Sequence, residues 1–145
     1  MNPDTFSSWQ AWALLSAVFA ALTAIFAKVG VAGINPDMAT LIRTVIILGV
    51  LATLVGLTGQ WQAPATISAH TWVFLVLSGL ATGASWLCYF RALKIGDAAR
   101  VAPVDKLSIV LVAVFGVLIL GEKLSTSNWL GVGLCTAGIV LVALK

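Results

Sequence analysis

In this 145-residue chain, 61% of residues are hydrophobic and 9% are charged, where a soluble domain carries about 25% charged residues. That balance excludes a soluble enzyme domain, a nucleic-acid module and a disordered tail; eight Lys/Arg against five Asp/Glu give a net charge of +3, too small and scattered to track phosphates. A spanning helix needs about 20 apolar residues, so the length accommodates roughly five or six crossings of a lipid bilayer.

Five spans follow along the chain, at about residues 9–29, 36–57, 71–90, 98–120 and 127–144. The first follows Met1 to Ser8, a leader with no Lys or Arg and with Asp4. A secretory signal has a basic n-region and a shorter apolar core, so an uncleaved span is expected. Gly30, Gly33, Asn35 and Pro36 then turn the chain into the second span, which carries Arg43 about two turns in. Gly59, Gln60 and Pro64 separate it from the third, where Trp86, Tyr89 and Phe90 share one helix face at i, i+3 and i+4.

After Gly96 and Asp97 the fourth span begins. Its clean apolar run, Leu107 to Leu120, covers about 21 Å as a helix, short of the ~30 Å hydrocarbon core. Residues around Val101 to Lys106 must join it, which brings Pro103, Asp105 and Lys106 to the membrane surface. Pro103 near a helix start is tolerable, because first-turn N–H groups have no partner. Gly121 and the run Ser125, Thr126, Ser127, Asn128 precede the last helix and are suited to cap it. With such short connections, successive helices are expected to be antiparallel neighbours.

Lys28, Arg91, Lys94, Arg100 and Lys145 fall on one side of these spans, and Lys123 on the other. This bias places the N-terminus outside and the C-terminus in the cytoplasm. Trp9, Trp12, Trp61, Trp72 and Trp129 fall near outer ends, as an aromatic belt would. Gly79 and Gly83 form a G-x-x-x-G; Ser127, Gly131 and Cys135, Gly133 with Ala137, and Ser16, Ala20 and Ala24 form further small-residue rows. Such rows allow close helix contact, within the chain or, for the fifth span, in an oligomer. Cys88 and Cys135 lie in apolar runs with no metal-site spacing and read as small packing residues.

Ionised groups at membrane depth cost roughly 3 kcal/mol or more unless paired or hydrated, which marks them as functional candidates. Arg43 and Asp105 lie at similar depth. Either they face each other or share a wet cavity, or Arg43 snorkels and Asp105 caps a helix start. Lys106 points elsewhere and snorkels. The Trp86, Tyr89, Phe90 face either lines a cavity for flat or cationic organic molecules or packs against lipid and a neighbouring helix. Thr82 and Ser85 lie beside it as hydroxyl donors. Glu122 is a candidate proton-coupling acid, or else binds the start of the last helix.

Enzyme chemistry is not expected. Gly83-Ala84-Ser85 begins like a nucleophile elbow, but Leu87 replaces the second glycine. His70, the single histidine, is about 22 Å of helix from Ser85 and reads as a cap of the third span. Neither a metal site nor a cofactor motif is evident.

The stretch Tyr89-Phe90-Arg91-Ala92-Leu93-Lys94-Ile95-Gly96-Asp97-Ala98-Ala99-Arg100-Val101-Ala102-Pro103-Val104-Asp105-Lys106-Leu107-Ser108, followed by Leu120-Gly121-Glu122-Lys123-Leu124, closely resembles the EamA-type domain of the drug/metabolite transporter superfamily. Asn35-Pro36 with Arg43 fits the same pattern. The resemblance covers nearly all five spans. It implies an all-α polytopic fold, with residues 1–145 forming one transporter repeat of the single-domain bacterial or archaeal type, where most members carry two repeats in inverted orientation. It further implies a plasma (inner) membrane carrier of small organic metabolites or drugs that works as a homodimer or with a paired inverted half, by alternating access. The small multidrug-resistance carriers use a carboxylate in the middle of their first span; here that span offers only Ser16 and Thr23. The expected substrate site comprises Arg43, Asp105, Trp86, Tyr89, Thr82 and Ser85. The alternative is a small accessory membrane protein that supports a partner and moves nothing itself.

Overall fold

A computed structural model describes residues 9–144; the leader Met1 to Ser8 with Asp4, and Lys145, lie outside the described residues. All regular structure among them is helical: α1 (Trp9–Val31), α2 (Pro36–Leu57), α3 (Ala69–Ile95), α4 (Ala98–Asp105), α5 (Ser108–Ile119) and α6 (Thr126–Ala143), with a 3₁₀ turn at Pro64–Thr66. Five stretches are long and apolar enough to span, with α4 and α5 together forming the fourth. No more than 17% of the residues in any span's apolar window are buried within the chain. Apolar surface left this open requires hydrocarbon as its solvent, so the chain is a multi-pass membrane protein.

The described residues fall into two compact units, one of Ala27–Ile95 and one of the described parts of Met1–Phe26 and Gly96–Lys145. In the first, α2 packs along α3. Asn35 starts α2 because its Oδ1 accepts the backbone N–H of Asp37 at 2.8 Å and of Met38 at 3.4 Å, while Pro36 occupies a position that needs no donor. Helix α3 has 27 residues, about 40 Å, and so overreaches the ~30 Å hydrocarbon core. Its last turns carry Arg91 and Lys94 beyond the expected end of the span at residue 90.

These basic groups tie the unit's end together. Lys94 Nζ donates to the carbonyls of Val31 and Ala32, each at 2.8 Å, and of Ile34 at 3.1 Å. In return, Lys28 Nζ donates to the Leu93 carbonyl at 2.8 Å. Each lysine therefore satisfies carbonyls at the C-terminal end of the other's helix, where cations are also favoured by the helix dipole. Arg91 grips Asp37 through Nε–Oδ1 at 3.1 Å and Nη2–Oδ2 at 2.9 Å. Beneath this lattice lie the fully buried Val31 and Leu93, with Ala27, Thr40 and Phe90. At the opposite end Thr58 caps α2, and Gly59 has φ +65°, a left-handed conformation natural to glycine. The Ser68 hydroxyl accepts the Thr71 N–H at 3.1 Å, so Ser68 caps α3. His70, expected there, packs against Phe74 instead, the rings tilted at 49° with centroids 4.7 Å apart.

In the second unit α6 packs on α4 and α5. The fourth span is not the single helix expected. Pro103 is the sixth residue of α4, which begins at Ala98, and so lies past the first turn. Lacking an N–H, it cannot bond the carbonyl four residues back. The chain then tightens: Lys106, Leu107, Ile109 and Val110 donate to Pro103, Val104, Lys106 and Leu107, each three residues back at 2.9–3.1 Å. This 3₁₀-like turn separates α4 from α5.

Helix α5 ends where the Gly116 carbonyl receives the N–H groups of both Leu120 and Glu122, a closure that puts Gly121 at φ +69°. Ser125 then caps α6 as expected, accepting the Asn128 N–H at 3.3 Å. Along α6 the half-buried residues are Val132, Thr136 and Ile139, one helix face at i, i+4 and i+7. The row Ser127, Gly131, Cys135 lies on another face, and Cys135 is exposed. A Cβ placed on Gly131, Gly133, Gly79 or Gly83 would meet nothing of its own unit within 4 Å. The glycine rows are therefore not used for packing within either unit.

Candidate functional site

In the unit of α2 and α3, Arg43 extends from α2 to lie over the indole of Trp86, its guanidinium carbon 3.4 Å from the ring centroid. A guanidinium is planar and always charged, so it stacks on the ring face, where the π-electron density attracts a cation. Trp86 meets Tyr89 edge-on, with centroids 5.5 Å apart at 84°. It also meets Phe90 at 5.8 Å and 58°. Phe90 is buried, which anchors the cluster in the packed end of the unit. The spacing of three and four residues that placed these rings on one face is what makes them touch. Trp86 lies nine residues before the end of α3, about 13 Å of rise. At that level Arg43 stacks on the ring.

Thr82 and Ser85 are exposed on α3. The Thr82 hydroxyl donates to the Ser78 carbonyl of its own helix at 2.8 Å, which commits its proton locally.

Asp105 belongs to the other unit and ends α4 rather than starting a helix. Its carboxylate meets Lys106 Nζ at 3.1 Å. Lys106, expected to snorkel away, instead turns back at the helix break, where its flexible stem lets the ammonium reach the nearest counter-charge. Arg43 and Asp105 thus each have a described partner within their own unit.

Glu122 does not bind the start of α6. Its backbone N–H helps close α5, and its carboxylate folds back on that helix: a Cβ on Gly116 would lie 2.7 Å from Oε2. Val112, Phe115, Ile119 and Leu120 line the same groove. The missing side chain at Gly116 is what leaves room for the carboxylate there.

The sequence alone does not mark Asp37, and it marks Lys28, Arg91 and Lys94 only as topology signals. Their partners lie 54 to 65 residues away in the chain. Asp37 directly after Asn35-Pro36 was the available clue, since a carboxylate in the first turn of a helix is favoured and can also hold a cation.

Comparison with known proteins gives a consistent result. The pattern of the EamA-like transporter family matches residues 7–144. A Sinorhizobium sp. protein described as an "uncharacterized transporter in cobO 3'region" is 73% identical over 136 residues, covering 94% of this chain and 96% of the relative. No solved structure matches the chain. With a family match across nearly every residue, and a relative of almost the same extent, this chain belongs to the EamA-like transporter family.

Proposed function

We propose that this protein is one repeat of a carrier for small organic metabolites or drugs in a bacterial or archaeal plasma membrane, working as a dimer by alternating access. The observation that carries the reading is the charged group inside a span: Arg43 stacked on Trp86, with Tyr89 edge-on to the same ring. Ionisable residues are expensive at membrane depth and mark substrate or ion pathways. The family, and the name carried by the Sinorhizobium relative, support transport as the activity. Glycine rows unused within either unit are available for close helix contact of the kind a second copy would make.

In this reading Arg43, Trp86 and Tyr89 form the substrate face, and Ser85 and Thr82 add hydroxyl oxygens. Glu122, held against an apolar wall at Gly116, is the coupling acid. The charge bias sets the N-terminus outside and the C-terminus in the cytoplasm. Cysteine labelling from either side tests this orientation: equal labelling of one terminus from both sides refutes a single orientation and supports an antiparallel dimer.

Counterflow of labelled metabolites in proteoliposomes tests the activity. Saturable exchange that Arg43→Gln abolishes supports the carrier. Absence of exchange for every candidate, with a membrane partner that co-purifies, favours the accessory role. The exchange Arg43→Asp with Asp105→Arg tests whether those two act as a pair. Recovery of activity over either single change makes Asp105 the counter-charge of Arg43; no recovery leaves each with the partner described in its own unit. If Glu122 couples, Glu122→Gln removes the response of exchange to an imposed pH gradient while exchange itself persists.

A further inference from the structure

Arg43 brings a positive charge into the second span. Its guanidinium cannot discard its charge. The ion pairs among the described residues use Asp37, Asp97 and Asp105 with Arg91, Arg100 and Lys106. None of them involves Arg43. Trp86 engages only the flat face of the guanidinium, whereas its N–H groups radiate in the plane, away from the ring contact. Stacking therefore fixes the orientation of the fork without satisfying its donors.

Neighbouring rings support that orientation. Trp86 is braced by Tyr89 and Phe90, and Phe90 is 3% exposed. A fork held in this way presents two parallel donors, the arrangement that matches a carboxylate. The same geometry opposes a cationic ligand. The face of Trp86 that would attract an ammonium is already covered by a positive charge, and a second cation there meets like-charge repulsion in a medium of low dielectric.

We propose that the Arg43–Trp86 stack is the subsite for the carboxylate of an anionic organic substrate, and that the carrier selects against organic cations of the same shape. The proposal rests on the transport reading above, but its primary readout is binding.

The test uses the full-length protein in lipid nanodiscs and isothermal titration with three matched probes: benzoate, neutral benzamide and cationic benzamidinium. Benzoate is expected to bind saturably and at least tenfold more tightly than benzamide, with benzamidinium weakest. Arg43→Lys keeps the charge but loses the planar fork, and about a tenfold loss of benzoate affinity is expected. Arg43→Gln is expected to abolish the preference for benzoate over benzamide.

Benzamidinium binding as tightly as benzoate overturns the proposal. So does an unchanged benzoate preference in Arg43→Gln, or no saturable benzoate binding to the folded wild type. If Arg43→Gln does not fold, Arg43→Lys decides alone, and unchanged benzoate affinity in that variant is equally fatal. Counterflow separates the two claims. Benzoate that binds as expected but is never exchanged sinks the transport reading and leaves the subsite; exchange of benzamidinium without benzoate binding does the reverse.

Discussion

Replacing Lys94 by methionine removes an ammonium that holds three backbone carbonyls of the α1–α2 connection while keeping most of the apolar stem. A hydrogen bond to a charged group contributes about 1.5–3 kcal/mol net when buried. Only the bond to Val31 is part-buried; those to Ala32 and Ile34 are exposed, where water substitutes at little loss. The helix C-terminus contributes a few tenths of a kcal/mol more. The expected destabilisation is therefore about 2–3 kcal/mol, not three full bonds. At 2–4 °C per kcal/mol for a chain of this size, that is a fall in Tm of roughly 4–12 °C.

Circular dichroism of the purified protein heated in a mild detergent measures this directly. Lys94→Arg keeps the charge that orients the chain and is expected to fall between wild type and Lys94→Met. Lys123→Met removes the same charge in the turn before α6 and is expected to leave Tm unchanged. A Lys94→Met protein melting within about 1 °C of wild type refutes the view that these bonds fasten the end of the unit.

The same assay separates Lys94 from its neighbour Arg91. The Arg91–Asp37 pair is exposed on both sides, so Asp37→Asn is expected to shift Tm far less than Lys94→Met, and less still in high salt; an equal shift contradicts this ranking. Pro103→Ala restores the backbone donor toward the Ala99 carbonyl inside α4 and is expected to stabilise that helix, read as slower amide hydrogen exchange at Ala102 and Val104; unchanged exchange shows that the missing bond costs α4 little. Gly121→Ala forces a side chain into φ +69° and is expected to cost about 1–2 kcal/mol, seen as a lower Tm; a neutral result shows that the turn rearranges freely.

Much of this protein follows from its residues taken in order. Runs of apolar residues long enough for a bilayer set the five spans, and turn formers set their limits: α2 begins at Pro36 because Asn35 caps it, and α6 begins after Ser125 for the same reason. Ring contacts among Trp86, Tyr89 and Phe90 were equally readable, because helical geometry brings residues three and four apart together whatever surrounds them. Tertiary structure decided the rest. It put Arg43 on Trp86 and gave Lys94 the carbonyls of Val31, Ala32 and Ile34. Hydropathy responds to how apolar a segment is, and local propensity to its nearest few neighbours. Partners 43 to 65 residues apart are chosen by the packing of helices, and with apolar residues on every side of each helix, composition alone leaves the facing side open.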